Sequence, residues 1–349
     1  MSVTLTQEIK DFLSRISTIY SVSLWNPETL SRHFDLEDRY FILSKDRSFI
    51  RIPYYIDNQD IKASILAGTF FFIKNKRMVR GLPFAYEINK DDKSRQSLNA
   101  SIIEKVFLEN PGVPYEKELK LDSINLRLFK LGKSICCATR FEPLIIPSQF
   151  PKVSFEALEY LYKYYYKAFD ILQDGYVLYF DYLDPAYSDT MAKTVYLRAI
   201  STSRGEFLSI KKLKEVSYLT KLPIIKEFSA NSRIPGSYKA WEDDYNQYKL
   251  NLQEVNKDGL YIKAPLSITG NNYDQIYLLI KNPDIVNIHK LTKNKDTLLK
   301  RIKLKLQIQL PENVSGEEFD RLLKYEILND YSLKTYEALV KPSEIKSEI

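Results

Sequence analysis

The most restrictive feature of this 349-residue sequence is its scarcity of glycine. There are 10 glycines, and the closest pair, Gly259 and Gly270, lies eleven residues apart. This spacing excludes the dinucleotide pattern G-x-G-x-x-G, the phosphate loop G-x-x-x-x-G-K-[ST] and the nucleophile elbow G-x-S-x-G. A fold that binds a nucleotide with this chain must therefore do so without a glycine-rich phosphate cradle.

The composition is typical of a globular protein from a reducing compartment. Hydrophobic residues make up 44% and charged residues 28% of the chain, which is enough to bury a sizeable core. Cys136 and Cys137 are adjacent, so they cannot build a disulfide framework or, with two histidines, a Cys/His zinc site. The apolar runs are far shorter than the roughly 20 residues that span a bilayer. The start, MSVTLTQEIKDF, lacks the apolar core of a secretion signal, so we expect a cytoplasmic protein with no membrane partner.

The charge balance permits a polyanionic partner without requiring one. The net charge is +6 and the isoelectric point is about 8.9. There are 26 tyrosines and 18 phenylalanines, and a basic, aromatic-rich surface can stack single-stranded bases. The simpler explanation is that tyrosine fills strands and the edges of the core, and composition alone favours it.

The hydrophobic pattern predicts an α+β fold. Residues 1–60 begin with a helical pattern and continue with short strands. Residues 61–282 contain most of the predicted strands, and residues 283–349 form a lysine-rich, mostly helical module. We therefore expect an N-terminal α/β region, which forms a small domain or extends the central one, then a β-rich domain and a small helical C-terminal module.

Several individual elements have clear boundaries. Alternation of apolar and polar residues predicts strands at Leu119–Phe129 and Ser134–Thr139. Ser154 is a good N-cap for the helix that follows it. Ser315 and Glu318 have the spacing of a capping box before another apolar helical face.

Covalent nucleotide transfer is a chemistry that short, dispersed motifs can supply. A lysine attacks the α-phosphate of ATP and forms a phosphoramidate. The attacking lysine needs a lowered pKa or a cationic neighbour to be nucleophilic near neutrality. Carboxylates hold Mg²⁺ against the triphosphate, further cations bind the phosphates, and an aromatic ring stacks on the base.

Four segments with such residues occur in order along the chain. They are Ala67–Phe84, Glu118–Pro147, Gly175–Asp189 and Asn256–Pro265. Together they resemble the archaeal-type ATP-dependent RNA ligase family, the homodimeric circularising ligases of the covalent nucleotidyltransferase superfamily. That family's segments read approximately V-R-G-Y-P, E-K-x-D-G-Y-N-V-R, G-E-x-V-G-P-x-N-P-Y and E-G-V-V-x-K. The resemblance implies an antiparallel-sheet-rich nucleotidyltransferase core, ATP-grasp-like in kind, and a C-terminal module that forms a homodimer.

The resemblance also implies roles for individual residues. Lys120, in the segment KLDSINLR, is the expected nucleophile that forms lysyl-AMP. The expected ATP-binding residues are Asn125, Arg127, Arg140, Asp181, Tyr196, Asp258 and Lys263. Asp181 and Asp258 are the expected Mg²⁺ ligands, and Arg80 of the segment VRGLP is expected to contact RNA.

The sequence departs from the family pattern within these motifs. Ser123 replaces the glycine that follows K-x-D, and Asp181 and Asp258 replace glutamates. Ala199 stands where the family has an acid. The family's last phosphate-binding lysine has no counterpart before Lys281. These changes affect the residues that an active enzyme needs.

Three functions therefore remain open from the sequence. The first is an ATP-dependent RNA ligase-like adenylyltransferase that joins RNA 5′-phosphate and 3′-hydroxyl ends. The second is a catalytically inactive relative that binds RNA or an active ligase partner. The third is an interaction protein with a chance likeness. Convergence of the predicted residues on one cleft favours the enzyme, whereas a cleft filled by Phe141 or Tyr261 favours the inactive relative.

Overall fold

A computed structural model describes most of the chain as helices and three sheets. The described residues are 2–54, 60–82, 85–88, 95–141, 143–144, 152–172, 175–188, 190–225, 232–254, 258–269, 272–282, 295–311 and 314–330. The helices are α1 (Ser2–Thr18), α2 (Pro27–Phe34), α3 (Ile61–Ile65), α4 (Arg95–Leu108), α5 (Lys152–Tyr164), α6 (Ala168–Ile171), α7 (Ile210–Thr220), α8 (Tyr238–Glu254), α9 (Lys295–Gln307) and α10 (Gly316–Asp330). Short 3₁₀ turns lie at Ile19–Ser21 and Asp38–Tyr40.

The strands form three separate sheets. They are β1 (Ile42–Leu43), β2 (Phe49–Arg51), β3 (Phe70–Phe72), β4 (Arg77–Val79), β5 (Ala85–Glu87), β6 (Glu116–Lys120), β7 (Ile124–Leu131), β8 (Ser134–Ala138), β9 (Pro143–Leu144), β10 (Val177–Leu183), β11 (Thr194–Ser201), β12 (Gly259–Thr269) and β13 (Asn272–Lys281). The first sheet has the order β1-β2-β3-β4, the second β11-β10-β7-β8-β9 and the third β5-β13-β12-β6. Neighbouring strands are antiparallel except β5 and β13, which are parallel. The predicted α+β fold with antiparallel sheets is confirmed.

The N-terminal helices share a hydrophobic core with the third sheet. Ile9 of α1 and Trp25 belong to the same cluster of buried residues as Trp241 of α8 and Ile280 of β13. A second cluster lies between the second sheet and helices α5 and α7. A third joins the first sheet to the opposite face of the second. The N-terminal region thus extends the central part of the molecule rather than burying a core of its own.

Strand alternation directs polar side chains of the third sheet to one face. Leu260 and Ile262 of β12 point into the core that the helices cover. Tyr261 and Lys263 therefore point to the other face. Across the ladder, Tyr261 lies opposite Glu118 and Lys263 lies opposite Glu116, and directly opposed residues share a face. One face of this sheet consequently carries carboxylates, lysines and tyrosines.

The second sheet shows the same division. Leu126 and Leu128 of β7 pack in the core beside α5 and α7. Asn125 lies on the other face, opposite Asp181 of β10, which in turn lies opposite Tyr196 of β11. The predicted polar residues Asn125, Asp181 and Tyr196 are therefore brought together on one face of this sheet.

Two predicted elements require correction, and one helix was not predicted. The strand predicted at Leu119–Phe129 is two strands in two different sheets, because the chain turns at residues 121–123 and leaves β6 for β7. Ser154 does not cap a helix: α5 begins at Lys152, and Ser154 is fully buried within its first turns. Helix α8 was not predicted at all.

The C-terminal region contains two described helices, α9 and α10. The predicted cap is confirmed at Ser315, whose hydroxyl oxygen accepts the backbone N–H of Glu318 at 3.2 Å. The helical prediction for residues 283–294 lies outside the described residues. Among the helices of the described residues, none has the length and apolar character that crossing a bilayer requires.

Candidate active site

Lys120 lies where the chain passes from the third sheet to the second. It is the last residue of β6 and lies opposite Gly259, the first residue of β12. A Cβ atom at position 259 would come within 2.9 Å of the carbonyl oxygen of Ile280 and 3.6 Å of the Cβ of Lys120. Glycine therefore keeps β12 and β13 close together beside the lysine. After three linking residues, β7 begins, so the polar faces of the two sheets meet next to Lys120.

A small cavity of about 50 Å³ lies beside Lys120. Of the predicted site residues, Lys120, Asn125 and Arg140 line it. The charged and polar lining residues are Lys120, Ser123, Asn125, Arg140, Arg198, Lys305, Gln309 and Glu326, and the aromatic ones are Tyr54 and Tyr261. Among these described residues, four cations face one carboxylate. Such a lining suits an anionic ligand.

A buried network of four charged groups lies behind the cavity. Arg198 pairs with Glu118 at 3.1 Å and with Asp181 at 3.3 Å. Lys263 pairs with Glu118, and the side-chain amide of Asn125 donates to Asp181. Asp181 is 1% exposed and Lys263 is 3% exposed. Because two carboxylates balance two cations, the network is neutral, and it holds these side chains in place.

The carboxylates keep both cations charged despite their burial. Burial acts to lower the pKa of Arg198, but Asp181 and Glu118 raise it well above the ordinary arginine value. Burial likewise acts to lower the pKa of Lys263, but Glu118, Tyr277 and Glu116 together outweigh it, so the pKa is raised. Lys263 is therefore a fixed positive charge near neutrality and not a proton carrier.

Arg140 connects the cavity to helix α10. Its guanidinium pairs with the buried carboxylate of Glu326. It also lies over the rings of Tyr54 at 4.9 Å and Phe141 at 5.0 Å. An arginine held by one carboxylate and two aromatic rings has a fixed plane, from which it can still offer N–H groups to a ligand.

Helices α9 and α10 cover the cavity. The Lys305 ammonium donates to the carboxylate of Asp122 at 2.7 Å, and the Thr139 hydroxyl donates to the carbonyl of Gln309 at 3.1 Å. Beside these contacts, Phe141 packs with buried apolar residues of the module: Ile302, Leu306, Leu310, Leu322, Leu323 and Ile327. The C-terminal module is thus docked on its own chain. Its predicted role in a homodimer stays a prediction.

Two predicted ligand-binding arginines lie in the core. Arg127 is 4% exposed and donates to the backbone carbonyls of Gly68 at 2.5 Å, Arg80 at 3.2 Å and Thr139 at 2.6 Å. Burial lowers the pKa of Arg127 to about 10. Arg80 is 1% exposed, donates to the carbonyl of Gly205 at 3.2 Å and lies over the ring of Phe207. Both side chains join strands and loops here, instead of facing ATP or RNA as expected.

Tyr196 and Asp258 lie at the periphery of the site. Tyr196 is half-buried and shares a face with Asp181, but it is not among the described residues that line the cavity. Asp258 precedes β12, and its backbone carbonyl accepts the N–H of Asn282 at 3.0 Å. Asp258 is also not among the described lining residues. The expected contacts of these two residues with ATP stay predictions.

The two predicted Mg²⁺ ligands lie in different surroundings. The carboxylate of Asp181 is engaged by Arg198 and Asn125, whereas Asp258 directly precedes β12 of the third sheet. In the part of the chain that the structure describes, no three His, Cys, Asp or Glu side chains are grouped so as to hold a metal ion. One or two carboxylates together with substrate phosphates can hold Mg²⁺, so the expected role of Asp181 and Asp258 stays a prediction.

Several residues of the cavity and of the charged network behind it were not predicted from the sequence. Glu118 and Arg198 carried a usable signal, because each lies two residues from a predicted site residue on the same strand and hence on the same face. Glu326 and Lys305 carried none. They reach the cavity from helices that are more than 180 residues away from their partners Arg140 and Asp122.

Comparison with solved structures gives similar chain paths in ATP-dependent ligases. The chain is 16% identical to a candidate ATP-dependent DNA ligase from Aquifex aeolicus, with a TM-score of 0.47, covering 89% of this chain and 78% of that one. It is 11% identical to an archaeal ATP-dependent RNA ligase, with a TM-score of 0.49 and coverages of 86% and 75%. A Naegleria gruberi RNA ligase variant in complex with ATP and Mn is 15% identical, with a TM-score of 0.40 and coverages of 63% and 65%. No protein-family model and no curated protein sequence matches the chain. At these identities and TM-scores, the assignment of a function has to come from the residues of the site.

Proposed function

We propose that this protein is a ligase-type nucleotidyltransferase that transfers AMP from ATP through Lys120. The observation that supports the proposal is the set of side chains that line the cavity with Lys120. Arg140 and Arg198 lie around it, and Tyr54 and Tyr261 offer aromatic rings. Cations suit the phosphates of ATP, and an aromatic ring suits its base.

The reaction proceeds in three steps. The neutral Nζ of Lys120 attacks the α-phosphorus of ATP, the bond to the β-phosphate oxygen breaks, pyrophosphate leaves, and the nitrogen gives up a proton to solvent. An oxygen of an RNA 5′-phosphate then attacks the phosphorus of lysyl-AMP, and the P–N bond breaks as the nitrogen takes up a proton from solvent, which gives a 5′-adenylated strand and the free lysine. Finally an RNA 3′-hydroxyl loses its proton and attacks the 5′-phosphate. A phosphodiester forms and AMP leaves.

The surrounding side chains have distinct tasks in this scheme. Arg198 and Arg140 stabilise the charge that develops on the α-phosphate oxygens, because both guanidinium groups are already oriented by carboxylates. Glu118 holds Lys263 charged next to the strand that ends at Lys120. Tyr261, over which Arg198 lies at 4.4 Å, forms one wall for the nucleotide.

The cavity beside Lys120 is too small for ATP, so this function requires the site to open. Pockets for small ligands occupy roughly 300 Å³ or more, whereas the cavity beside Lys120 has about 50 Å³. ATP can enter only after α9 and α10 move away from Lys120. The same observation favours a second candidate, an inactive ligase-like protein that binds RNA or a ligase partner with its cleft permanently closed.

Labelling with ATP separates the two candidates. The protein is incubated with ATP carrying a radioactive α-phosphate and Mg²⁺, with a parallel EDTA sample, and resolved on a denaturing gel. The proposal predicts a covalent label that Lys120→Ala abolishes and that Lys133→Ala, a change of a lysine outside the cavity, retains. A folded wild type without label supports the inactive relative. A label retained in Lys120→Ala assigns the nucleophile to another residue.

The acceptor and the assembly are parts of the same proposal. We expect RNA ends to be the acceptor, a homodimer to be the active form and the cytoplasm to be the location. Joining of a 5′-phosphorylated RNA, compared with DNA of the same sequence, tests the acceptor. Sedimentation of the full chain tests the dimer.

A further inference from the structure

A larger cavity adjoins the one beside Lys120. It has a volume of about 280 Å³ and lies between the N-terminal region and helix α10. Tyr54 and Arg140 line both cavities. Since Arg140 lies over the Tyr54 ring at 4.9 Å, this stacked pair is a common wall between them.

The lining of the larger cavity combines arginines with aromatic rings. Its arginines are Arg39, Arg51, Arg140 and Arg321, and its aromatic residues are Tyr40, Tyr54, Phe141 and Tyr325. Glu318 is the one carboxylate among the described lining residues. Arginine is the residue best suited to bidentate binding of phosphate, and tyrosine stacks on nucleobases irrespective of sequence. We call it the arginine cavity.

The two outer arginines can exchange their present partners for a phosphate. Arg39 pairs with Glu37 at 2.8 Å, and Arg321 pairs with Glu318 at 2.6 Å. The four side chains are between 36% and 62% exposed. Pairs this exposed contribute little to stability, so that a dianionic ligand can replace the carboxylates at small cost. The inner Arg51 donates to the backbone carbonyl of Phe141 at 3.1 Å, which fixes the floor of the cavity.

We propose that the arginine cavity binds the 5′-phosphate end of a single nucleic-acid strand, and this proposal rests on the proposed function. A volume of about 280 Å³ accommodates roughly one terminal nucleotide. A terminal phosphate carries close to two negative charges at neutral pH, one more than an internal phosphodiester, and several arginines converge on the space. The Tyr54–Arg140 wall lies between the bound phosphate and the cavity of Lys120. The phosphate is therefore next to the adenylated lysine that it would attack.

A binding experiment without ATP tests the proposal. Short RNAs of one sequence, with a 5′-phosphate or a 5′-hydroxyl and a fluorophore at the 3′ end, are titrated with the full-length protein. We expect the phosphorylated RNA to bind about tenfold more tightly, as a charge-assisted contact of this kind provides. The double variant Arg39→Gln/Arg321→Gln should lose this preference. The control Arg32→Gln/Arg233→Gln removes two exposed arginines elsewhere and should keep it.

Other outcomes overturn the proposal. Equal binding of the two RNAs by the wild type would show that no terminal phosphate is bound in the cavity. Equal losses in the two double variants would indicate general electrostatic attraction. Binding requires no adenylation, so a protein that prefers the 5′-phosphate but takes no ATP label contradicts only the proposed function.

Discussion

Removal of the Arg127 side chain is expected to lower the free energy of unfolding rather than to weaken ATP binding. The guanidinium joins three separate parts of the chain through the carbonyls of Gly68, Arg80 and Thr139. It also lies over the ring of Phe70 at 4.3 Å. Arg127→Met keeps an unbranched apolar stem there but removes every donor.

The magnitude follows from the acceptors that lose their partner. A buried polar group left without a hydrogen bond costs about 1 to 3 kcal/mol. The carbonyl of Arg80 keeps the hydroxyl of Tyr179, which donates to it at 2.9 Å, so the carbonyls of Gly68 and Thr139 are the two that lose their donor. The expected loss is therefore at least about 2 kcal/mol, out of a total stability that for natural proteins is about 5 to 15 kcal/mol. Lysine at this position can restore part of the loss but cannot reach three carbonyls with the same planar fork.

Urea unfolding followed by circular dichroism measures this loss. Arg233→Met is the matched control, because the exposed Arg233 donates to a single carbonyl, that of Gly112, and its loss should cost about 1 kcal/mol or less. The reasoning is refuted if Arg127→Met unfolds within 1 kcal/mol of the wild type. A variant of normal stability that loses its ATP label would instead give Arg127 the nucleotide contact that the family resemblance implies.

Three further predictions concern a close backbone approach at Gly81, a buried thiol and the closed cavity. Gly81→Ala should destabilise the protein by several kcal/mol in the same urea assay, since a Cβ there would lie 1.8 Å from the carbonyl oxygen of Ala67, whereas Gly236→Ala, with no atom within 4 Å, should have little effect. Burial raises the pKa of Cys137 from 9.0 to about 12, so the folded state holds the thiol proton more tightly than the unfolded state. The contribution of this thiol to stability should therefore be complete below pH 9 and should fall above pH 9 by about 1.4 kcal/mol per pH unit. Cys137→Ala should reduce that slope. Lys305→Ala should loosen α9 and raise the initial rate of ATP labelling about fivefold, as the loss of about 1 kcal/mol implies; a slower rate would show that Lys305 binds ATP instead.

The local pattern of the sequence predicted the sheet faces better than the sheet boundaries. Alternation puts Asn125 on one face of a strand and its neighbours Ile124 and Leu126 in the core. The apolar positions change phase between Leu121 and Ile124, and this shift is a local sign that one strand ends there and another begins. Only the pairing of β6 with β12 and of β7 with β10 shows that the two strands belong to different sheets.

Helix α8 shows a signal that was present but overlooked. Trp241, Tyr245, Tyr248 and Leu252 are buried along one side at spacings of four, three and four residues, which is helical. Aromatic residues favour strands on average. When this preference is considered alone, the helical spacing is not recognised.

The role of Arg127 could not be predicted by any local rule. Its carbonyl partners lie 59, 47 and 12 residues away in the sequence. A cation on a strand looks the same in sequence whether it faces a ligand or three backbone carbonyls. The same holds for Lys263, whose partner Glu118 is 145 residues away and is set by strand register.

The most direct test of the account is the site of covalent modification. The protein is incubated with ATP and digested, and the peptides are analysed by mass spectrometry for the added mass of one AMP. AMP should be attached to Lys120 alone, and pyrophosphate should remove it again and regenerate ATP. AMP attached to another residue would contradict the assignment of Lys120, and an unmodified protein that still binds 5′-phosphorylated RNA would contradict the enzyme and support the inactive relative.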